Sequence, residues 1–387
     1  MKLLVSLVLL LVLTACGGGG GENVTPAPTP TATNAVALVV EAGPGGNVNM
    51  PYVSVTVCTP GTTSCKTIDH VMVDTGSTGL RLLASALSGV TLPAQTSGTS
   101  STILECAQFL SFVTWGPVKL ADIAIGGKRA SNVPIQLVAD PVYPTAPSGC
   151  SFASSVATGT NDLGANGILG VGLFTNDGQL YYNCMPTTFH GSSCRVALAA
   201  SQQVQNPVSL FGSDNNGVLL QLPAVTSTGA VRVQGQLIFG IDTQPNNQLG
   251  PAKVIQTDSS GYFTTTYRGV ALSSSFIDSG SNGLYFDDPT LTECGGVNTG
   301  FYCPTSTQNL TATMPLKGGG SDAVNFSIGN ATTLLANPSF VYANLGGPIS
   351  GPNFDWGLPF FLGRSVYTVI EGRSTSAGPG PLFAYTN

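Results

Sequence analysis

Charge and histidine are what this sequence has least of. Its 387 residues include 13 Lys or Arg, 19 Asp or Glu and 2 His, and charged side chains make up 8% of the chain, against about 25% in an ordinary soluble domain. With a formal net charge of −6, there is no basic surface for nucleic acid and too little charge for a coiled coil or a charge-extended disordered chain. Metal and nucleotide signatures are missing as well. No C-x-x-C occurs and His70 and His190 lie far apart, which removes the usual zinc arrangements. The glycine run from Gly17 to Gly21 lacks the following Gly-Lys-Ser/Thr of a phosphate-binding loop. Long helical periodicity is absent too. In its place stand 49 Gly and 26 Pro, with Ser, Thr, Asn and Gln supplying most of the polarity, a composition suited to many short strands and turns. Val53-Ser54-Val55-Thr56-Val57 alternates with period two, and an all-β chain is expected.

The first residues carry one charge at Lys2, an apolar run from Leu3 to Leu13, and then Leu13-Thr14-Ala15-Cys16. The run is too short to span a bilayer and reads as an export signal. Its last four residues resemble the lipobox of bacterial lipoproteins, which implies cleavage before Cys16, lipidation of Cys16 and anchoring in the cell envelope. Gly17 stands where lipoproteins retained at the inner membrane have Asp, so the resemblance points to the outer membrane. Residues 1–15 are thus expected to be the signal peptide and 16–35 a flexible Gly/Pro/Thr tether that cannot bury a core. The other eight cysteines are an even number in an exported chain, where disulfides form and persist. Short spacings favour Cys58 with Cys65, Cys184 with Cys194 and Cys294 with Cys303, leaving Cys106 and Cys150 to pair by elimination, although sequence alone permits about a hundred pairings.

A segment of the chain occurs twice. Val71-Met72-Val73-Asp74-Thr75-Gly76-Ser77-Thr78-Gly79-Leu80-Arg81-Leu82 aligns with Ser275-Phe276-Ile277-Asp278-Ser279-Gly280-Ser281-Asn282-Gly283-Leu284-Tyr285-Phe286, and all five identities fall inside or just after the Asp-x-Gly-Ser core. One repetition, with the two aspartates 204 residues apart, indicates a duplicated lobe and not a solenoid. In each copy an apolar strand runs into a turn where Gly permits a sharp bend and small hydroxyls can bond the carboxylate. A single such Asp is a common structural feature. Two related ones suggest a pair facing each other where the lobes meet, and like charges about 3 Å apart cannot both ionise, so the pair shares a proton.

With these motifs the chain resembles the pepsin-like aspartic proteases over most of its length. Tyr52 to Val57, the turn Thr59-Pro60-Gly61 and the strand into Asp74 are similar to that family's opening hairpin. Asn166-Gly167-Ile168-Leu169-Gly170-Val171-Gly172 resembles the segment that threads beside the first Asp loop, and Pro359-Phe360-Phe361-Leu362-Gly363-Arg364, followed by Tyr367 to Ile370, looks like its partner in the second lobe. Gly235 to Asp242 resembles the end of the first lobe and Gly261-Tyr262-Phe263 the opening of the second. The resemblance implies an all-β, bilobal fold with related barrel-like lobes at 36–245 and 246–387 and the active cleft between them.

It also implies an aspartic endopeptidase in which Asp74 and Asp278 grip a water that attacks the peptide carbonyl, supported by Thr75, Gly76, Ser77, Ser279, Gly280 and Ser281. No metal, nucleotide or covalent intermediate is required, no cofactor is expected, and the partners are a peptide or protein substrate and, through lipid alone, the membrane; a monomer without nucleic acid is expected. An acidic to mildly acidic optimum follows from the shared proton. One departure stands out. The family's flap hairpin bears a Tyr, whereas no Tyr occurs between Tyr52 and Tyr143; the corresponding region is about Cys106 to Pro117, where Trp115 is the flap candidate and a core-packed indole is the alternative. A serine hydrolase fails because no G-x-S-x-G occurs and only His70 or His190 could be the base. A dinucleotide reading fails because Gly170-Val171-Gly172 lacks a third Gly. The remaining rival is a catalytically silent binding or structural lipoprotein on the same scaffold, and the chain also resembles bacterial lipoproteins without an assigned function.

Overall fold

The fold was taken from a computed structural model, which describes residues 33–98, 101–150, 155–183 and 194–387. The proposed signal peptide, Cys16, Cys184 and His190 lie outside the described residues. Strands dominate. The α-helices among the described residues are the single turns Thr160–Leu163, Ala331–Leu335 and Leu358–Phe361, as expected of a chain rich in Gly, Pro and β-branched residues. The all-β expectation holds, and the strands form one sheet of 16, one of seven and a small pair.

Period-two alternation decides the burial of the opening hairpin. In the strand Pro51–Cys58, Val53, Val55 and Val57 are buried while Ser54 is exposed. This strand pairs antiparallel with Cys65–Asp74, and the disulfide Cys58–Cys65 clasps the hairpin where its two strands enter the turn. Cys65–Asp74 changes character along its length, from partly exposed at Cys65 to fully buried over Val71–Asp74. The change occurs where Gly167–Val171 joins it in parallel, covering its second edge. Gly167–Val171 is in turn paired antiparallel with Thr78–Leu83. The segment after Asp74 therefore loops out and returns on the far side of Gly167–Val171.

The smaller sheet repeats that arrangement. Val270–Ile277 runs into Asp278 and pairs in parallel with Phe354–Trp356, which pairs antiparallel with Leu284–Phe286. Gly357 there matches Gly170: a Cβ on Gly170 would lie 2.7 Å from the Thr78 backbone, and one on Gly357 2.1 Å from Gly283 O. This corrects the sequence reading in one place. The segment beside the second Asp loop is Phe354 to Gly357, not Pro359 to Arg364, which instead lies in the short helix Leu358–Phe361 and the lead-in to the strand Ser365–Val369.

The two halves of the chain share the larger sheet. Ala35–Val40 pairs with Val233–Phe239, Gly217–Gln221 with Ser365–Val369, and Ser365–Val369 with Leu382–Thr386, which carries Lys253–Gln256 on its other edge. The sequence boundary between residues 245 and 246 falls in the turn between Val233–Phe239 and Lys253–Gln256, inside this shared set of strands. A contiguous apolar core runs from Val53, Val55 and Leu80 in the first half to Phe286, Phe354 and Trp356 in the second. The disulfides Cys106–Cys150 and Cys294–Cys303 sit in smaller apolar clusters beside it.

Candidate active site

Each Asp is delivered by a buried strand end, and the turn after it keeps the carboxylate in place. Gly76 N–H donates to Asp74 Oδ1 at 2.8 Å, Ser77 N–H to the same oxygen at 3.1 Å, and the Ser77 hydroxyl to Asp74 Oδ2. In the second copy, Gly280 N–H donates to Asp278 Oδ1 at 2.7 Å and the Ser281 hydroxyl to Asp278 Oδ2 at 2.8 Å. The two turns are locked together by reciprocal bonds. Thr75 Oγ1 donates to Ile277 O and accepts from Ser279 N–H, while Ser279 Oγ donates to Val73 O and accepts from Thr75 N–H. All eight of these donors and acceptors are satisfied by the opposite turn, which fixes the spacing of the two strand ends as well as their rotation.

Glycine is required at the meeting point because each turn abuts the other's carboxyl group. A Cβ on Gly76 would lie 2.6 Å from Asp278 Cγ, and a Cβ on Gly280 would lie 2.8 Å from Asp74 Cγ. Gly76 N–H also reaches Asp278 Oδ1 at 3.2 Å, so one donor serves both inner oxygens. Asp74 and Asp278 are 4% and 8% exposed. Burial, and then the charge of Asp74, push the Asp278 carboxyl well above the usual carboxylate range, and Asp74 is close enough to accept its proton in a hydrogen bond.

The carboxylates open onto a cleft of ≈ 540 Å³ whose walls come from both sheets. One wall is the hairpin of Leu104–Gln108 and Phe112–Ile125, covering the region in which a flap was expected. Its tip is Phe109-Leu110-Ser111, and all three residues line the cleft. Phe109 stacks on Phe112 with ring centroids 4.8 Å apart, and Leu110 is 74% exposed. Trp115 sits elsewhere. It is 2% exposed at the base of the hairpin, opposite Cys106, with its ring edge-on to Tyr182 and its indole N–H donated to Tyr143 O at 3.1 Å. It packs on the Cys106–Cys150 staple and does not reach the cleft, so it is the core-packed indole and not the flap residue, and the hairpin residues that line the cleft here include Phe109 and Leu110.

Sequence reasoning missed a second set of polar residues. Arg81, seven residues after Asp74, is buried, and its Nη2 is shared at 2.6 Å between Glu105 Oε1 and Asp177 Oδ2. Asp177 also accepts from Tyr181 OH, and both Arg81 and Asp177 line the cleft. Burial pushes the Glu105 carboxyl up, against the pull of Arg81. The repeat contained a signal for this, since Arg81 is the charged residue where the second copy has Tyr285. His70 is not part of the cleft: it lies between Glu41 Oε1 and Asp69 Oδ2 at 3.4 and 3.3 Å. Ser279 spends its hydroxyl on Val73 O, which removes it as a nucleophile. No group of His, Cys, Asp and Glu suited to a metal ion occurs among the described residues.

A family described as a protein of unknown function, DUF3443, matches residues 30–385, nearly the whole chain. The chain belongs to that family. No curated protein matches it. In this DUF3443 chain the matched region contains both Asp turns, the cleft and the shared sheet, so the site is built within the family's own domain and not on an appended segment.

Proposed function

We propose that this protein is an aspartic-type endopeptidase with a bilobal, pepsin-like fold, in which Asp74 and Asp278 activate a water molecule for attack on a peptide bond. The observation that carries the reading is the reciprocal bonding of Thr75 and Ser279, which holds two buried carboxyl groups against each other at the floor of an open cleft. Because burial and the neighbouring charge favour the neutral form of Asp278, Asp278 carries the shared proton and donates to the substrate carbonyl oxygen as it becomes an oxyanion. Asp74 then takes the proton of the attacking water. As the tetrahedral intermediate collapses, Asp74 passes that proton to the leaving nitrogen while a hydroxyl of the intermediate returns its proton to Asp278, so the products are the acid and the amine and the pair regains its starting state. The chemistry comes from the two carboxyls, and the Ser77 and Ser281 hydroxyls keep their outer oxygens oriented. Placement as a lipid-anchored envelope protein, cut before Cys16, remains part of the same proposal.

A second reading is favoured by the hairpin tip. Phe109-Leu110-Ser111 offers apolar surface where a catalytic flap needs a donor to the substrate, which suits a scaffold that binds an extended apolar peptide without cutting it. Cleavage of an unfolded protein by the oxidised chain from residue 33 onward, across pH 3 to 8, separates the two. Acid-biased cleavage that falls by about 10²- to 10⁴-fold in Asp74→Asn and is blocked by a pepstatin-type inhibitor is the expected result. Folded protein that binds peptide and cuts nothing at any pH would leave the binding scaffold.

A further inference from the structure

A second cavity opens on the smaller sheet, and it shares no lining residue with the Asp74/Asp278 cleft. Its volume is ≈ 460 Å³, within the range of about 300–1,000 Å³ common to small-molecule pockets. The walls come chiefly from the hairpin of Gln308–Pro315 and Ser321–Ile328 and from the short helix Leu358–Phe361. Burial along the hairpin explains the opening. Residues in register share a sheet face, and on the core-facing side Ala312 and Val324 are fully covered, whereas the next pair, Leu310 and Phe326, is only half-buried. The covering elements leave a gap over that pair. Trp356 and Phe360 line it from the other side, with Phe326 and Phe360 both edge-on to the indole at centroid distances of 5.6 and 5.3 Å. The indole N–H is spent on Thr265 Oγ1 at 3.0 Å, so Trp356 offers the cavity carbon alone.

One ionisable residue lines this cavity, and it is a cation in a chain with 13 of them. The Arg364 guanidinium lies over the Phe360 ring, 4.7 Å from its centroid, with Nη1 donating to Phe360 O at 2.8 Å and Nε to Asn387 Oδ1 at 3.4 Å. Those bonds fix the plane of the group and leave Nη2 without a partner among the described residues. No carboxylate pairs with it there either: Asp322, whose charge reaches it, is taken by Lys253 Nζ at 2.8 Å and by the Tyr385 hydroxyl. We propose that the cavity is a binding site for a small apolar carboxylate, whose body lies among Leu310, Phe326 and Trp356 and whose headgroup pairs with Arg364. A guanidinium seated among aromatic carbons is costly without a counter-charge, and its planar fork matches a carboxylate. The other polar lining residues, Asn309, Thr311, Asn325 and Ser327, carry no charge, so a single negative charge completes the site. The inference is independent of the protease reading, since no residue of the Asp turns takes part.

Tryptophan emission supplies the test. Trp115 and Trp356 are the two tryptophans of the sequence, so in oxidised protein carrying Trp115→Phe the emission reports the cavity. Decanoate, kept below its micelle-forming concentration at pH 7, is expected to change that emission saturably. Decanol, with the same tail and no charge, should bind about 10-fold or more weakly. Arg364→Met keeps an apolar stem over Phe360 and should bring decanoate down to the affinity of decanol while leaving decanol unchanged. Arg364→Lys keeps the charge without the fork, so its decanoate affinity should fall between, and it serves in place of the Met variant if that variant does not fold. Leu310→Asp puts a negative charge on the apolar wall at a half-exposed position and should weaken both probes. Equal affinity for the two probes, decanoate binding that is unchanged in folded Arg364→Met, or no saturable response to either probe would overturn the proposal.

Discussion

Thr75 and Ser279 each use one hydroxyl for two bonds, and the residue count of the Asp turns explains why substitution there has no neutral option. A Val at position 75 would keep the shape but leave Ile277 O and Ser279 N–H unsatisfied in a buried setting, at about 1–3 kcal/mol for each orphaned group. Gly76 is constrained by space in the same way. An added methyl would meet Asp278 Cγ at 2.6 Å, and the carboxyl must move because the backbone is fixed by the reciprocal bonds. Gly76→Ala is therefore expected to lower kcat by about 10²-fold or more, the loss that follows from an ångström-scale displacement of a reacting group. KM should change much less. An equal fall of kcat/KM and kcat with a normal far-UV spectrum would be the confirming result, whereas full activity would show that the carboxyl spacing does not matter.

At the scale of elements, the hairpin over the cleft divides its work between base and tip. Trp115 at the base is fastened by Tyr143 O and the Cys106–Cys150 bridge, while Leu110 at the tip is exposed. Trp115→Phe is expected to lower Tm by a few °C, from a lost hydrogen bond and lost packing, with kcat unchanged. Leu110→Ser should leave Tm in place and raise KM severalfold. The opposite assignment of effects would mean that the indole acts on substrate after all.

The same elements show what could be read in advance. Strand alternation at Val53 to Val57 and the repeated Asp-x-Gly-Ser core were visible, because period-two burial and a sharp turn each leave a local trace in composition. Three of the expected disulfides are present, and Cys184–Cys194 lies partly outside the described residues. The strand beside Asp278 was misplaced by a few residues for a physical reason. Its outward signal is two apolar residues before a Gly, and Phe361-Leu362-Gly363 displays that pattern, whereas the true neighbour carries Asp355 in the middle of its apolar stretch. The lone charge of Arg81 in the repeat is a local trace, but the partners of its buried ion triad, Glu105 and Asp177, lie 24 and 96 residues away, and the repeat does not point to them.

For the whole molecule, the decisive feature is that the larger sheet takes strands from both halves. Gly217–Gln221 is bonded to Ser365–Val369 over five residue pairs, and the apolar core is continuous across the Asp turns. Calorimetry of the intact oxidised chain is therefore expected to give one unfolding transition, because neither half can lose its strands without exposing the other's edge. Two well-separated transitions would show that each half carries its own stability.

That sheet also imposes an order on how the chain can be made. Ala35–Val40 waits for Val233–Phe239, and Lys253–Gln256 waits for Leu382–Thr386, which also lies beside Ser365–Val369. The ladders among residues 35–239 can close before Lys253–Gln256 meets Leu382–Thr386, and folding is slow by the measure of its non-local contacts. A product that ends even a handful of residues early would present bare edges on both Lys253–Gln256 and Ser365–Val369.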